Sequence, residues 1–179
     1  MGVSKPYIII DDFNYRFCVH ALSLGDDLLT KVSTAEGHVL NVDEPKTVGW
    51  LGRAPNPVEM FLTALASCFI ITLKLHAKRL GLVIDYVEVS SEGSFDIRGF
   101  IMPEKFTSGF KSLSLKADIN TRVNCEKLLK LLNKVFNGWI VGSTVSRAIP
   151  ISIDIRAKCL DVDGNPKELT INEVVSKSR

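Results

Sequence analysis

The stretch PNPVEMFLTALASCFIITLKLHAKRLG, residues 55–81, decides the fold of this chain. Its Asn-Pro start is typical of a helix N-terminus, and its basic residues followed by glycine are typical of a helix end. Three polar residues recur at every fourth position and form a thin stripe on an otherwise apolar helix: Glu59, Thr63 and Ser67. We therefore predict a central helix over residues 57–80 that is surrounded by protein on nearly every side.

The apolar part of this stretch is too short for a membrane span. Its longest uncharged run, residues 60–73, has 14 residues, whereas a bilayer-spanning helix needs about 20. The chain also begins without the charged and apolar pattern of a signal peptide. We therefore expect a cytoplasmic protein that does not bind membranes.

Composition limits the remaining classes. The chain has 179 residues, of which 46% are hydrophobic and 23% charged, and these values fit one folded domain over residues 1–179 rather than a disordered chain. The formal net charge of +2 gives no electrostatic reason for nucleic acid to bind.

The order of the predicted elements indicates an α+β fold. Short apolar stretches separated by Asp, Gly and Pro predict an antiparallel β region over residues 6–45, in which residues 15–22 form one strand. Residues 83–137 predict a β-hairpin, with strands over 83–101 and 109–120, followed by a second helix. Alternating isoleucines predict a last strand at 150–159, and the tail after residue 163 shows no pattern. Hairpins outnumber crossover units, as is typical of α+β proteins.

The cysteines indicate neither a metal site nor a cofactor. Cys18, Cys68, Cys125 and Cys159 are separated by 50, 57 and 34 residues, without a CxxC pair or zinc-ligand spacing. We expect four free thiols in a reducing compartment. Cys68 lies in the central helix, where an inert core thiol is the commoner role. The residue pattern by itself therefore does not make Cys68 reactive.

Several short motifs resemble a known family. They are DEP at 43–45, PNPVE at 55–59, LTALASC at 62–68, FDIRGF at 95–100 and GF at 109–110. In order and spacing these are similar to motifs of the OsmC/Ohr family, the osmotically induced and organic hydroperoxide resistance proteins, in its broader OsmC-like branch. The resemblance covers roughly residues 37–155.

The resemblance implies a fold and an activity. The fold is an intertwined homodimer in which antiparallel sheets enclose central buried helices. The activity is that of an antioxidant peroxidase of the stress response, which reduces organic hydroperoxides or hydrogen peroxide and is itself reduced by an external thiol. The alternative is a non-catalytic dimer of the same fold that binds a small ligand or serves as a structural protein.

By position, Cys68 corresponds to the family's peroxidatic cysteine. Its thiolate would attack the O–O bond and become a sulfenic acid. An ordinary thiol has a pKa of about 8.5, so a nearby cation is required. The helix N-terminus lies eleven residues away and is too distant, so the resemblance implies an arginine, with Arg53 or Arg16 as candidates.

Two positions depart from the family pattern. Aligned on Pro150, Trp139 occupies the place of the family's resolving cysteine, and a shifted alignment puts Ser143 there; neither is a thiol. Cys125 is then either a substitute partner or a packing residue. Glu59 lies one position later than the glutamate of the hydroperoxide-resistance branch, on the helix face opposite Cys68. It is either a site residue or an anion at the helix start. The predicted site residues are Cys68, Glu59 and Arg53.

Overall fold

Helix α1, Pro57–Arg79, runs through the deciding stretch and ends one residue before the predicted boundary. A computed structural model of the protein describes residues 7–9 and 13–176, with side chains from residue 13 onward. The chain divides into two compact units, residues 1–61 and 62–179, and α1 begins in the first unit and continues in the second.

The first unit is built from short antiparallel strands. Strand β1, Tyr7–Ile9, pairs with β2, Tyr15–Phe17. A second sheet has the order β3-β4-β5, formed by Val19–Ser23, Thr30–Thr34 and Val39–Val42. The single strand predicted over residues 15–22 is therefore wrong, because the chain leaves one sheet at Cys18 and enters another. The predicted β region over residues 6–45 also includes residues 6 and 10–12, which lie outside the described residues.

The second unit is organised around a four-stranded sheet of order β6-β7-β8-β9. Its strands are Tyr86–Phe95, Phe110–Asn124, Ile151–Leu160 and Pro166–Val175. The β7–β8 pair is parallel and the other neighbouring pairs are antiparallel. Strand β9 lies in the tail where the sequence shows no pattern.

One predicted strand segment is a helix instead. Residues Arg98–Ile101 form the short helix α2, whereas the sequence predicts a strand that continues to residue 101. The Asp96 carboxylate accepts a hydrogen bond from the Arg98 backbone N–H at 3.0 Å, which turns the chain out of the sheet at this point.

Helices cover the inner face of this sheet. Helix α3, Cys125–Gly138, packs on β7, β8 and β9 through an apolar face, and the six-residue helix α4, Ile140–Val145, follows it. The fully buried side chains of this face are Leu128, Leu131, Leu132 and Val135. Each contributes about 1.5–3 kcal/mol by leaving water. The unit therefore has its own hydrophobic core.

Within the described part of one copy of the chain, protein covers only one face of α1. The buried residues of α1 are Leu65, Phe69, Leu73 and Ala77, whereas Ile71 and Leu75 are 57% and 53% exposed. The prediction of a helix surrounded by protein on nearly every side is therefore not met within one chain. Helix α1 as a whole extends beyond the uncharged run of residues 60–73 and, contrary to the expectation from that run, has the length and hydropathy of a membrane span. That is weak evidence, because core helices of soluble proteins pass the same test.

Candidate active site around Cys68

Cys68 lies in the middle of α1 as a free, partly exposed thiol. Thr72, one turn further along, donates a hydrogen bond from its hydroxyl to the Cys68 backbone carbonyl at 2.7 Å. The Thr72 Oγ1 also lies 4.0 Å from the Cys68 Sγ. Because the hydroxyl proton is committed to the carbonyl, Thr72 presents an acceptor to the sulfur. A donor that stabilises a thiolate has to come from another residue.

Aromatic side chains support the helix next to this thiol. Phe69 makes an edge-to-face contact with Trp139, with ring centroids 5.4 Å apart, and lies 6.4 Å from Phe136. Trp139 is completely buried, and its indole N–H has no hydrogen-bond partner among the described residues. A bulky apolar ring therefore fills the position that the alignment on Pro150 predicts for the family's resolving cysteine.

The other cysteines do not match the expectation of four free thiols. Cys125 and Cys159 form a disulfide, so only Cys18 and Cys68 are free. The expectation fails because the parallel β7–β8 pair brings together two residues that are 34 positions apart, and cysteine spacing alone does not reveal connectivity. With its sulfur bonded to Cys159, Cys125 is not a free partner for Cys68.

Arg53 lies at the centre of an ion-pair network in the first unit. Its Nε donates to the Asp43 carboxylate at 2.9 Å, and its two terminal nitrogens both donate to the Asp27 carboxylate. The Asp43 side chain is fully buried, and it also accepts the Arg53 backbone N–H at 3.1 Å. The network ties the loop between β3 and β4 to the loop that precedes α1.

The charges of this network shift one another's pKa values. The hydrogen bonds from Arg53 hold the pKa of Asp27 and of Asp43 well below the ordinary aspartate range. The two carboxylates in turn raise the pKa of Arg53. The guanidinium charge is thus more than offset by two negative charges, which limits the positive potential that Arg53 projects elsewhere.

Glu59 takes part in a capping box at the start of α1. Its carboxylate accepts the Asn56 backbone N–H at 2.8 Å, and the Asn56 side-chain oxygen accepts the Glu59 backbone N–H at 2.8 Å. This reciprocal pair satisfies two N–H groups at the helix start. The sequence predicted Glu59 either as a site residue or as an anion at the helix start. The capping box gives Glu59 the second of these roles.

The three predicted site residues fall into separate hydrogen-bonded groups among the described residues. Arg53 groups with Asp27 and Asp43, Glu59 with Asn56, and Cys68 with Thr72. The sequence reasoning missed Thr72, although its spacing of four from Cys68 on one helix was a usable signal. It also missed both aspartates as partners of Arg53, although Asp43 belongs to the DEP motif; no local pattern marks Asp27.

Arg16, the alternative arginine, lies in β2 and is exposed. No group of three potential metal ligands occurs in the described part of the chain.

The FDIRGF segment forms a second polar cluster in the second unit. Asp96 accepts hydrogen bonds from Arg98 and Lys111, which lower the pKa of Asp96 below its ordinary range. The Arg98 guanidinium lies 4.4 Å from the centre of the Phe106 ring. A side chain at Gly99 would meet the Thr107 carbonyl oxygen at 2.4 Å, so only glycine fits there. These contacts give the motif a structural role at the turn between β6 and β7.

A protein-family profile matches more than half of this chain. The profile of the OsmC-like protein family matches residues 51–154. The uncharacterised protein YmaD of Bacillus subtilis is 27% identical over 118 residues, which cover 66% of this chain and 75% of YmaD.

Solved structures show the same fold. An OsmC-like protein from Mycoplasma pneumoniae superposes with a TM-score of 0.65 at 16% identity, covering 80% of this chain and 96% of that one. An organic hydroperoxide resistance protein from Elizabethkingia anophelis superposes with a TM-score of 0.54 at 20% identity, covering 81% and 96%. At these identities the likeness concerns the fold alone.

Proposed function

Because the chain belongs to the OsmC-like protein family, we propose that it is a thiol-dependent peroxidase that reduces organic hydroperoxides or hydrogen peroxide in oxidative-stress defence. The observation that carries the proposal is Cys68, a free and partly exposed thiol on a helix inside the matched region. Neighbours named as hydroperoxide resistance proteins share the fold and support the same activity.

The proposed reaction needs one protein thiol and one external reductant. The Cys68 thiolate attacks one oxygen of the peroxide, the O–O bond breaks, and the other oxygen leaves as an alcohol or water once protonated. An external thiol then attacks the resulting sulfenic acid, which releases water and forms a mixed disulfide. A second thiol equivalent restores Cys68. Trp139 at the resolving position and the Cys125–Cys159 bond both favour an external reductant.

We propose Arg53 and Glu59 as the charged residues that serve this site. Arg53 is paired with two carboxylates. Its effect on Cys68 is therefore either direct activation of the thiolate or loop retention, in which its ion pairs hold the loop before α1 in place. Arg53→Met separates the two roles. Direct activation predicts slower alkylation of Cys68 by iodoacetamide at neutral pH, whereas loop retention alone predicts a lower melting temperature with unchanged alkylation.

We propose that a second copy of the chain covers the exposed face of α1. The apolar side chains of Ile71 and Leu75 are more than half exposed on a helix whose opposite face is fully buried. Contiguous apolar surface of this kind marks an interaction site, and the family resemblance implies an intertwined homodimer.

Light scattering after gel filtration tests the dimer. Ile71→Glu is expected to give a monomer, and Leu129→Glu, at a 44% exposed leucine of α3, is the matched control that stays dimeric. A wild-type monomer at micromolar concentration contradicts the proposal. Recovery of the protein only in the membrane fraction contradicts it as well, together with the proposed cytoplasmic location.

A second candidate function is a dimer of this fold without peroxidase activity that binds a small ligand. Trp139 in place of a cysteine and Val58 in place of a glutamate favour it. The acceptor that Thr72 presents to the Cys68 sulfur points the same way.

Turnover of cumene hydroperoxide with excess 2-mercaptoethanol distinguishes the two functions. The peroxidase proposal predicts turnover that is lost in Cys68→Ser and retained in Cys18→Ser. Absence of turnover in the wild-type protein favours the second candidate.

A further inference from the structure

The second unit carries a disulfide that the proposed peroxide chemistry does not use. Cys125 is the first residue of α3 and is bonded to Cys159 in β8, with Cα atoms 5.2 Å apart. Both side chains are buried, with 7% and 2% exposure. The bond therefore fastens the start of a helix to a strand of the sheet.

The disulfide lies at an interruption of the β7–β8 ladder. The two strands pair without a break from Leu113 and Ile151 to Asn120 and Lys158, and pairing resumes only at Asn124 and Leu160. Residues 121–123 of β7 thus lie opposite Cys159 alone. An irregularity of this kind leaves ladder hydrogen bonds unmade. The disulfide joins Cys159 of β8, which lies within this interruption, to the residue that directly follows β7.

Hydrogen bonds of the Asn124 side chain also hold the start of α3 near the end of β8. The Asn124 side chain donates to the Asp161 carbonyl at 3.1 Å and accepts the Glu126 N–H at 2.9 Å, which caps α3. Beyond the first turn, Leu128 is completely buried and begins the apolar face that holds α3 on the sheet. Opening the disulfide is therefore expected to free the first turn of α3 while the rest of the unit stays folded.

We propose that the Cys125–Cys159 bond is a redox-sensitive link that holds the start of α3 on strand β8. A thiolate of a dithiol reductant attacks one sulfur and forms a mixed disulfide, and the other cysteine leaves as a thiolate that takes up a proton. The second thiol of the reductant then displaces the remaining cysteine. The protein gains two electrons and two protons, and the dithiol becomes a disulfide. A disulfide oxidant reverses these steps.

Two arguments favour reversible reduction of the Cys125–Cys159 bond. A cysteine at a helix start is a good leaving group, because the helix N-terminus stabilises the thiolate. Disulfides are also uncommon in a reducing cytoplasm, where we propose this chain to reside. There the pair is expected to open and close with the thiol–disulfide balance. The inference does not depend on peroxidase activity, because its test reads thiols, stability and amide exchange.

The state of the pair is tested by counting thiols and by thermal unfolding of the full-length protein. After incubation with oxidised glutathione, the denatured protein is expected to show two free thiols, Cys18 and Cys68, and dithiothreitol is expected to raise this to four. Closing a loop of 34 residues implies a melting temperature about 10 °C lower after reduction. Peptide mapping without reductant identifies the linked cysteines.

Local opening is tested by amide hydrogen exchange. Reduction is expected to speed exchange in the first turn of α3 about tenfold or more, with little change in β8 residues 151–157. Asn124→Ala, which removes the cap and the Asp161 bond, is expected to speed reduction by dithiothreitol several-fold.

The double variant Cys125→Ser/Cys159→Ser is expected to have the melting temperature of the reduced protein, and dithiothreitol is expected to leave it unchanged. Cys18→Ser is expected to behave like the wild-type protein. Four free thiols after oxidation overturn the proposal. An unchanged melting temperature after full reduction of the wild-type protein also overturns it, whether or not the double variant folds.

Discussion

Gly142→Ala is expected to destabilise the protein, although alanine is the better helix former. Gly142 lies within α4, where replacing glycine by alanine ordinarily stabilises a helix by about 0.5–1 kcal/mol. A methyl group there would lie 2.1, 2.2 and 2.5 Å from three atoms of the Trp139 ring. Carbon atoms in contact ordinarily stay about 3.5–4.0 Å apart. The ring or the helix therefore has to move by more than an ångström.

The loss of stability in Gly142→Ala follows from the position of the Trp139 ring. Trp139 is completely buried and contacts Phe69, so a displaced ring disturbs the packing next to Cys68. Overpacking of a buried site costs about 1–3 kcal/mol, and occasionally more. Because three ring atoms clash at once, we expect a net loss of about 2–3 kcal/mol in the free energy of unfolding. For a chain of this size that corresponds to a melting temperature lower by roughly 4–12 °C.

Gly138→Ala is the matched control. Gly138 is the last residue of α3, and a methyl group there would meet the tip of the His76 side chain at 2.9 Å, which a flexible side chain relieves by turning. We expect a change of about 0.5 kcal/mol or less. Urea unfolding followed by circular dichroism measures both variants. If Gly142→Ala is as stable as Gly138→Ala, the packing of Trp139 described here is wrong. Gly142→Ala combined with Trp139→Leu is expected to lose less than the sum of the two single changes.

Three further predictions concern polar contacts. Because the pKa values of Asp27 and Asp43 lie below the ordinary 3.8, their ion pairs with Arg53 stabilise the fold above that pH and are lost as the pH falls through the folded-state values. The protein should therefore begin to unfold below about pH 4, and Arg53→Met should reduce this dependence of stability on pH. An unchanged pH dependence in the variant contradicts the assignment. Asn56→Ala removes the capping box of α1 and is expected to cost about 1 kcal/mol in urea unfolding, whereas Asn133→Ala, at an exposed residue of α3, should change it little. Gly99→Ala is expected to lower the melting temperature because its methyl group would clash with the Thr107 carbonyl, and an unchanged value would show that the turn has room.

The sequence was sufficient for the features that depend on local pattern. Helix α1 follows from its capping residues and apolar coverage, and β8 follows from its alternating isoleucines. The family motifs were sufficient for the fold class, which the solved structures share.

The features that the sequence did not predict depend on contacts between distant residues. Strand β9 pairs with β8 along its whole length, yet its own residues show no clear alternation. The Cys125–Cys159 bond depends on the parallel register of β7 and β8. The carboxylates that bind Arg53 lie 10 and 26 residues before it. None of these contacts leaves a local signal. The roles of Cys68, Glu59 and Arg53 as site residues remain predictions.

The reaction of Cys68 with one equivalent of cumene hydroperoxide tests the central proposal most directly. The oxidised protein is treated with dimedone, which traps sulfenic acids, and its peptides are analysed by mass spectrometry. We expect the adduct on the Cys68 peptide, a gain of about 16 or 32 Da there when dimedone is omitted, and a mixed disulfide when a small thiol is present. Cys18 is expected to remain unmodified under the same conditions. An unmodified Cys68, or oxidation of Cys18 at an equal rate, would contradict the proposed role of Cys68.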